Sequence, residues 1–307
     1  MILNNSEEML LLVGDNPFHE ISHLSQERAR ARTVSPSNPE YAADLIATSV
    51  ANGANGFTFS VSETTLAILG ELNARDAVDG LGLYPVVPYA FEYVRLANQL
   101  GGISALTTKL AKDILRTRNL KALGSGFRGA LTMDPKAMLK TYLAYEVSRV
   151  KSGGGSKASI GSVILHQLIT DLALALHMDW LFQVYVDSLL NERITPGFNT
   201  GNFAFLVNRF LELGIDLKKV VILAPFNKVG FQMTPSTEDC ERALKDLTRP
   251  AVIAMSVLAA GYLSPRDAAE YIATLPNIKG VAIGVSNEKH ARETFSLFRQ
   301  CFDKRRR

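Results

Sequence analysis

The stretch 251–295, "AVIAMSVLAAGYLSPRDAAEYIATLPNIKGVAIGVSNEKHARETF", decides the fold. It opens on an apolar run, "AVIAMS" (251–256), and continues through the small-residue loop "SVLAAG" (256–261). "SPRDAAEYI" then starts a helix, with Ser264 as cap and Pro265 in the first turn, where the missing N–H would have no helical partner anyway. A second β-type run, "GVAIGV" (280–285), leads into another helix, in which Ala291, Phe295, Phe298 and Phe302 recur on one face. Strand, helix, strand, helix is the pattern of parallel strands joined by crossover helices.

The same alternation extends over the rest of the chain. Further strands are expected at "MLLLVG" (9–14), "GFTFSV" (56–61), "LYPVVP" (83–88), "SVILHQ" (162–167), "RITPGF" (193–198) and "VVILAP" (220–225). Cys240, Ala243, Leu244 and Leu247 give the helix after the last of these an apolar face, and "TPSTED" gives it a capped, acidic start. Eight strands with such helices in 307 residues predict a single α/β domain, a (β/α)8 or TIM barrel spanning 1–307. Residues 101–157, with the glycine run "KSGGGSK" (151–157), read as a helical and loop insertion between strands three and four. Residues 169–193 read as two helices broken near Asp179.

Composition bounds the function classes. With 47% hydrophobic and 21% charged residues the chain can bury a large core. Cys240 and Cys301 fall in expected helices, which argues against a disulfide scaffold and for a reducing, cytoplasmic setting. The formal charge of +3 includes Lys304, Arg305, Arg306 and Arg307, read as a solvated tail because no aromatic interleaving accompanies it; no nucleic-acid partner is expected. The first residues carry Glu7 and Glu8 where a secretion signal needs positive charge, and their apolar run is too short to span a bilayer. No targeting segment or membrane partner is expected. A small-molecule substrate is, and the sequence leaves the oligomeric state open.

In a barrel of this kind, reactive groups come from the carboxyl ends of the strands and the loops after them. The candidates are Asp15, Asn16 and His19; Ser60, Ser62 and Glu63; Tyr89 and Glu92; His166 and Gln167; Asn199, Thr200 and Asn202; Asn227 and Lys228; Ser256; and Ser286 with Asn287. Asp15 and Asn16 before Pro17 also suit a plain Asx turn. His19 and His23 stand four apart but lack the intervening glutamate of a zinc-binding H-E-x-x-H helix, so no metal site is expected.

Gly284, Ser286 and Asn287 end the eighth strand before a helix whose N–H groups favour an anion, and with Ser256 in the preceding loop they suit a phosphate site. The same residues are also what a helix cap alone requires. "GSGFRG" (124–129) has the glycine spacing of a nucleotide loop, but the polar, helical "LRTRNLKAL" before it supplies no strand, so it reads as a loop.

Several of these segments resemble the aldo/keto reductases. Residues 252–295 are similar to that family's last two strands with their loop and closing helix, 52–72 to its second strand and helix, and 160–167 to its fourth strand. The resemblance implies an NADP(H)-dependent oxidoreductase acting on a small carbonyl metabolite. It places the cofactor's adenosine phosphate at Ser286 and the amides around Gly284 and Asn287, with His290 and Glu293 near the adenosine end; Ser256 and Asn227 complete the expected cofactor-binding set. Of the family's catalytic aspartate, tyrosine, lysine and histidine, only the last survives, as His166. Thr58 stands at the aspartate position, Glu63 near the tyrosine, and Val87 or Pro88 at the lysine. A carbonyl reductase needs a proton donor for the developing alkoxide, and Glu63 would serve only with its pKa raised by burial. Two other readings stay open. Lys228, flanked by Phe226, Val229 and Phe231, suits a Schiff-base lyase or aldolase if an apolar pocket encloses it. The barrel is otherwise a non-catalytic binder of a metabolite or nucleotide.

Overall fold

Three consecutive strands, β1 (Leu10–Gly14), β2 (Gly56–Ser60) and β3 (Gly82–Val87), run parallel, with Leu12 beside Gly56 and Gly56 beside Gly82. The computed structural model describes residues 9–19, 38–88, 134–248 and 251–306. Next come β4 (Ser159–Ile160) and β5 (Val163–Leu165), both paired with β3, and then β6 (Pro196–Asn199), β7 (Val221–Pro225), β8 (Ala251–Met255) and β9 (Ile278–Gly284). β9 pairs with β1 and closes the sheet. Nine segments, two of which share the fourth barrel position, make an eight-stranded parallel barrel.

The helices around it are α1 (Pro39–Ala51), α2 (Glu63–Ala74), α3 (Pro135–Gly154), α4 (Gln167–Ala175), α5 (Asp179–Asn191), α6 (Phe203–Glu212), α7 (Thr237–Asp246), α8 (Pro265–Thr274) and α9 (Glu288–Arg306). Ser62, Ser236 and Ser264 cap α2, α7 and α8 by accepting a backbone N–H from the first turn. The expected insertion needs correcting in part. α3 packs on α2 and β3, so residues 135–154 are the barrel's own third crossover, and a helical insertion over 101–157 is not what the described part shows. Residues 101–133, including "GSGFRG", and also Tyr89, Glu92 and His23, lie outside the described residues.

The apolar residues form two cores. One lies between strands and helices and holds Phe198 of β6 against Phe182 and Tyr185 of α5 and Phe210 of α6. The other fills the barrel itself with Leu12, Tyr84, Val86, Ile164, Val221, Leu223, Ala251 and Ile253. Alternation along each strand therefore sends Ile164 inward and Phe198 outward, which puts His166 and Asn199 on the inward face at the carboxyl end.

Glycines make room for the Tyr84 ring. A Cβ on Gly161 would lie 2.7 Å from Tyr84 Cζ, and one on Gly82 3.1 Å from Cε2. Burial pushes the Tyr84 hydroxyl up to about 12. Gly161→Ala is expected to destabilise the protein by about 1–3 kcal/mol, the usual cost of overpacking. Urea unfolding would check this, and unchanged stability would mean that the ring does not fill the barrel.

Candidate functional site

The mouth is built from what each strand presents as it ends. After β1, Asp15 turns its carboxylate over the end of β2, where Oδ2 accepts the Ser60 N–H at 2.6 Å and lies 3.1 Å from His19 Nε2. Asp15 is 8% exposed, and Oδ1 makes no hydrogen bond among the described residues. A carboxylate fixed through one oxygen keeps a defined direction for the other.

His166 follows β5. Its backbone N–H extends the ladder by donating to the Val87 carbonyl at 2.8 Å, and its ring caps α4, Nδ1 accepting the Leu168 N–H at 3.1 Å. A nitrogen that accepts carries no proton, so the neutral ring holds its hydrogen on Nε2. That N–H has no partner among the described residues. Burial lowers the His166 pKa below the ordinary histidine value, and the negative charges of Asp15 and Asp171 offset part of the effect. The two carboxylates that act on the ring lie on opposite sides of the chain order, one after β1 and one on α4.

Register places Leu165 beside Phe198, so Asn199 is the next-strand neighbour of His166. Its side-chain oxygen, Oδ1, is buried without a hydrogen-bond partner among the described residues. Leaving such an acceptor unsatisfied costs about 1–3 kcal/mol, which makes it a place where a donor belongs. The loop beyond is held by Asp171, which takes the Thr200 hydroxyl at 2.5 Å and the Gly201 N–H at 3.0 Å. Asn199 is among the sequence candidates, but its orphaned oxygen is not legible there, because only the paired environment of the loop shows which groups are left over.

Other expected residues have different occupations. Glu63 starts α2, its side chain is 80% exposed, and it pairs with Arg149 of α3 at 2.8 Å. Lys228 is exposed beside exposed Val229, and no apolar pocket encloses it among the described residues. Asn227 is fully buried and pins its own loop, exchanging two hydrogen bonds of 2.8 Å with the Phe231 backbone. Thr58, at the family's aspartate position, is buried and donates to the Tyr84 carbonyl at 3.1 Å.

The cofactor residues are similarly engaged. Ser256 donates to Gln232 Oε1 at 3.1 Å. Asn287 caps α9, accepting the His290 N–H at 2.9 Å, and its amide nitrogen sits 3.1 Å from His290 Nδ1. Ser286 is half-buried and its carbonyl accepts from the Tyr41 hydroxyl at 3.5 Å. Gly284 faces Pro17 so closely that a Cβ there would lie 2.9 Å from Pro17 Cδ. Neither 256–264 nor 285–287 carries a lysine or arginine. Lys289 and Arg292 follow in the first turns of α9, and Arg266 in that of α8. No helix among the described residues is long and apolar enough to cross a membrane, and no group of three or more metal-ligating side chains is found among them.

No family model and no curated protein matches the sequence. Solved structures do match. Two from Pseudomonas aeruginosa, each provisionally assigned as an aldo-keto reductase, superpose with TM-scores of 0.60 and 0.59 at 12% and 13% identity, covering 98% of this chain and 94% of theirs. The likeness at that identity is one of fold: an aldo-keto reductase-like barrel.

Proposed function

We propose that the barrel mouth binds a small metabolite with a carbonyl next to a hydroxyl, and that the protein is an enzyme acting on it. The observation that carries this reading is the pairing of an unshared donor with an unshared acceptor on adjacent strands, His166 Nε2–H and Asn199 Oδ1. A carbonyl oxygen suits the first and a hydroxyl the second. A neutral imidazole can polarise a carbonyl by a directed hydrogen bond without carrying charge.

The second reading is an NADP(H)-linked oxidoreductase. The description of the two similar structures as reductases supports it. The engaged side chains of Ser256 and Asn287 oppose it. The lyase reading loses its support with the exposure of Lys228, and a binding protein without catalysis is an outcome of the experiments below.

Calorimetric titration separates these readings, using hydroxyacetone, glycolaldehyde, NADPH and NADP. Binding of a hydroxycarbonyl compound, weakened about tenfold or more in Asn199→Leu, is the expected result, since losing one well-placed hydrogen bond is worth about 1.4 kcal/mol or a factor of ten. Binding of NADPH alone would select the second reading. Equal hydroxycarbonyl affinity in Asn199→Leu would remove the orphaned oxygen from the site.

A further inference from the structure

Beside His166 and Asn199, the mouth holds the carboxylate of Asp15, and its local anchoring is more than a turn requires, while Asp171 is engaged by Thr200 and Gly201. Its Oδ2 takes the Ser60 N–H at 2.6 Å and faces His19 Nε2 at 3.1 Å, which leaves Oδ1 as the oxygen directed away from the protein's own donors. The Asp15 carboxylate is thus held by groups on two elements, the end of β2 and the single helical turn Asn16–His19. We infer that Asp15 is the proton-transferring residue of this mouth and that, with His166, it enolises an α-hydroxy-carbonyl compound. The inference rests on the hydroxycarbonyl reading above and adds the reaction.

The step balances without an oxidant, a reductant or a metal. Asp15 Oδ1 takes the proton from the carbon that bears the hydroxyl, and the electron pair of that C–H bond becomes the C=C bond of an enediol. The carbonyl π pair moves onto oxygen, where the His166 Nε2–H stabilises the negative charge, while Asn199 Oδ1 holds the hydroxyl. Return of the proton to the same carbon regenerates the substrate; if the hydroxyl proton first passes to the neighbouring enediolate oxygen, return of the carbon-bound proton to the former carbonyl carbon gives the isomer in which carbonyl and hydroxyl have exchanged places. A neutral imidazole serves here because an imidazolium would give up the Leu168 cap at Nδ1. His19 and the Ser60 N–H are positioning groups: they direct Oδ1 and take no proton from substrate.

Deuterium exchange tests the inference. The full-length protein is incubated with hydroxyacetone in D2O, the loss of the hydroxymethyl proton signal is followed by NMR, and binding is measured in parallel by calorimetry. The expected result is exchange at least a hundredfold above buffer, lost in Asp15→Asn while hydroxyacetone still binds within a few-fold. Binding by the unsubstituted protein without exchange would overturn the enolisation and leave the binding reading standing, with no need of a variant that folds. Exchange persisting within tenfold in Asp15→Asn would remove Asp15 from the step. Failure to bind hydroxyacetone or glycolaldehyde at all would overturn both readings together.

Discussion

His166→Asn keeps its fold and loses its ligand. Asparagine is among the best N-cap residues, so its amide oxygen still accepts the Leu168 N–H and α4 keeps its start. The same short side chain does not reach the position of Nε2. Hydroxycarbonyl affinity should fall about tenfold to a hundredfold, and any turnover by about 10²–10³, the usual loss of one directed donor to a developing oxyanion. His166→Ala removes the cap too and should lower stability by about 1 kcal/mol besides. On the proposed reading the ring serves two purposes, Nδ1 capping α4 and Nε2 meeting the ligand.

Acid sensitivity follows from the same ring. Its folded pKa lies below the ordinary 6.5, so as pH falls through that value the unfolded chain takes up the proton first. The stability contributed above 6.5 is lost as pH drops toward the folded value and declines no further below it. His166→Asn lacks that component, so the urea midpoint of the unsubstituted protein should fall relative to that of the variant as pH drops through this window.

Phe198→Ala should be the most damaging single change in the core, at about 3–5 kcal/mol. Phe198 is fully buried, and its ring meets Phe210 at 4.8 Å, Tyr185 at 5.2 Å and Phe182 at 5.9 Å between centroids. Three elements, β6, α5 and α6, converge on it. Tyr185 cannot collapse into the space, because its hydroxyl is held by the Val163 carbonyl at 2.8 Å. Chemical denaturation reads the loss directly. A cost under 1 kcal/mol would show that the cluster repacks.

All eight barrel strands are legible because β-branched and apolar runs recur between capped helices, and the aromatic face of α9 is legible for the same reason. The break of the fourth strand at Gly161 and Ser162 is not, since it answers to the Tyr84 ring arriving from β3. Likewise, "SVILHQ" hides the point where strand gives way to helix, and only the Leu168 N–H identifies His166 as a cap. Glu63 and Lys228 follow strands in the sequence, yet one turns to Arg149 and the other to solvent. Strand order indicates which loops form the mouth; pairing within those loops decides which side chains remain available to a ligand.

The account depends on the protonation and reach of one ring. Nitrogen-15 NMR of histidine-labelled protein at neutral pH, with His166→Asn to assign the signal, measures both. The structure predicts a neutral ring with Nδ1 bare and Nε2 protonated, and an Nε2 resonance that moves when hydroxyacetone is added. A ring protonated on Nδ1, or an Nε2 signal unmoved at saturating hydroxyacetone, would contradict it.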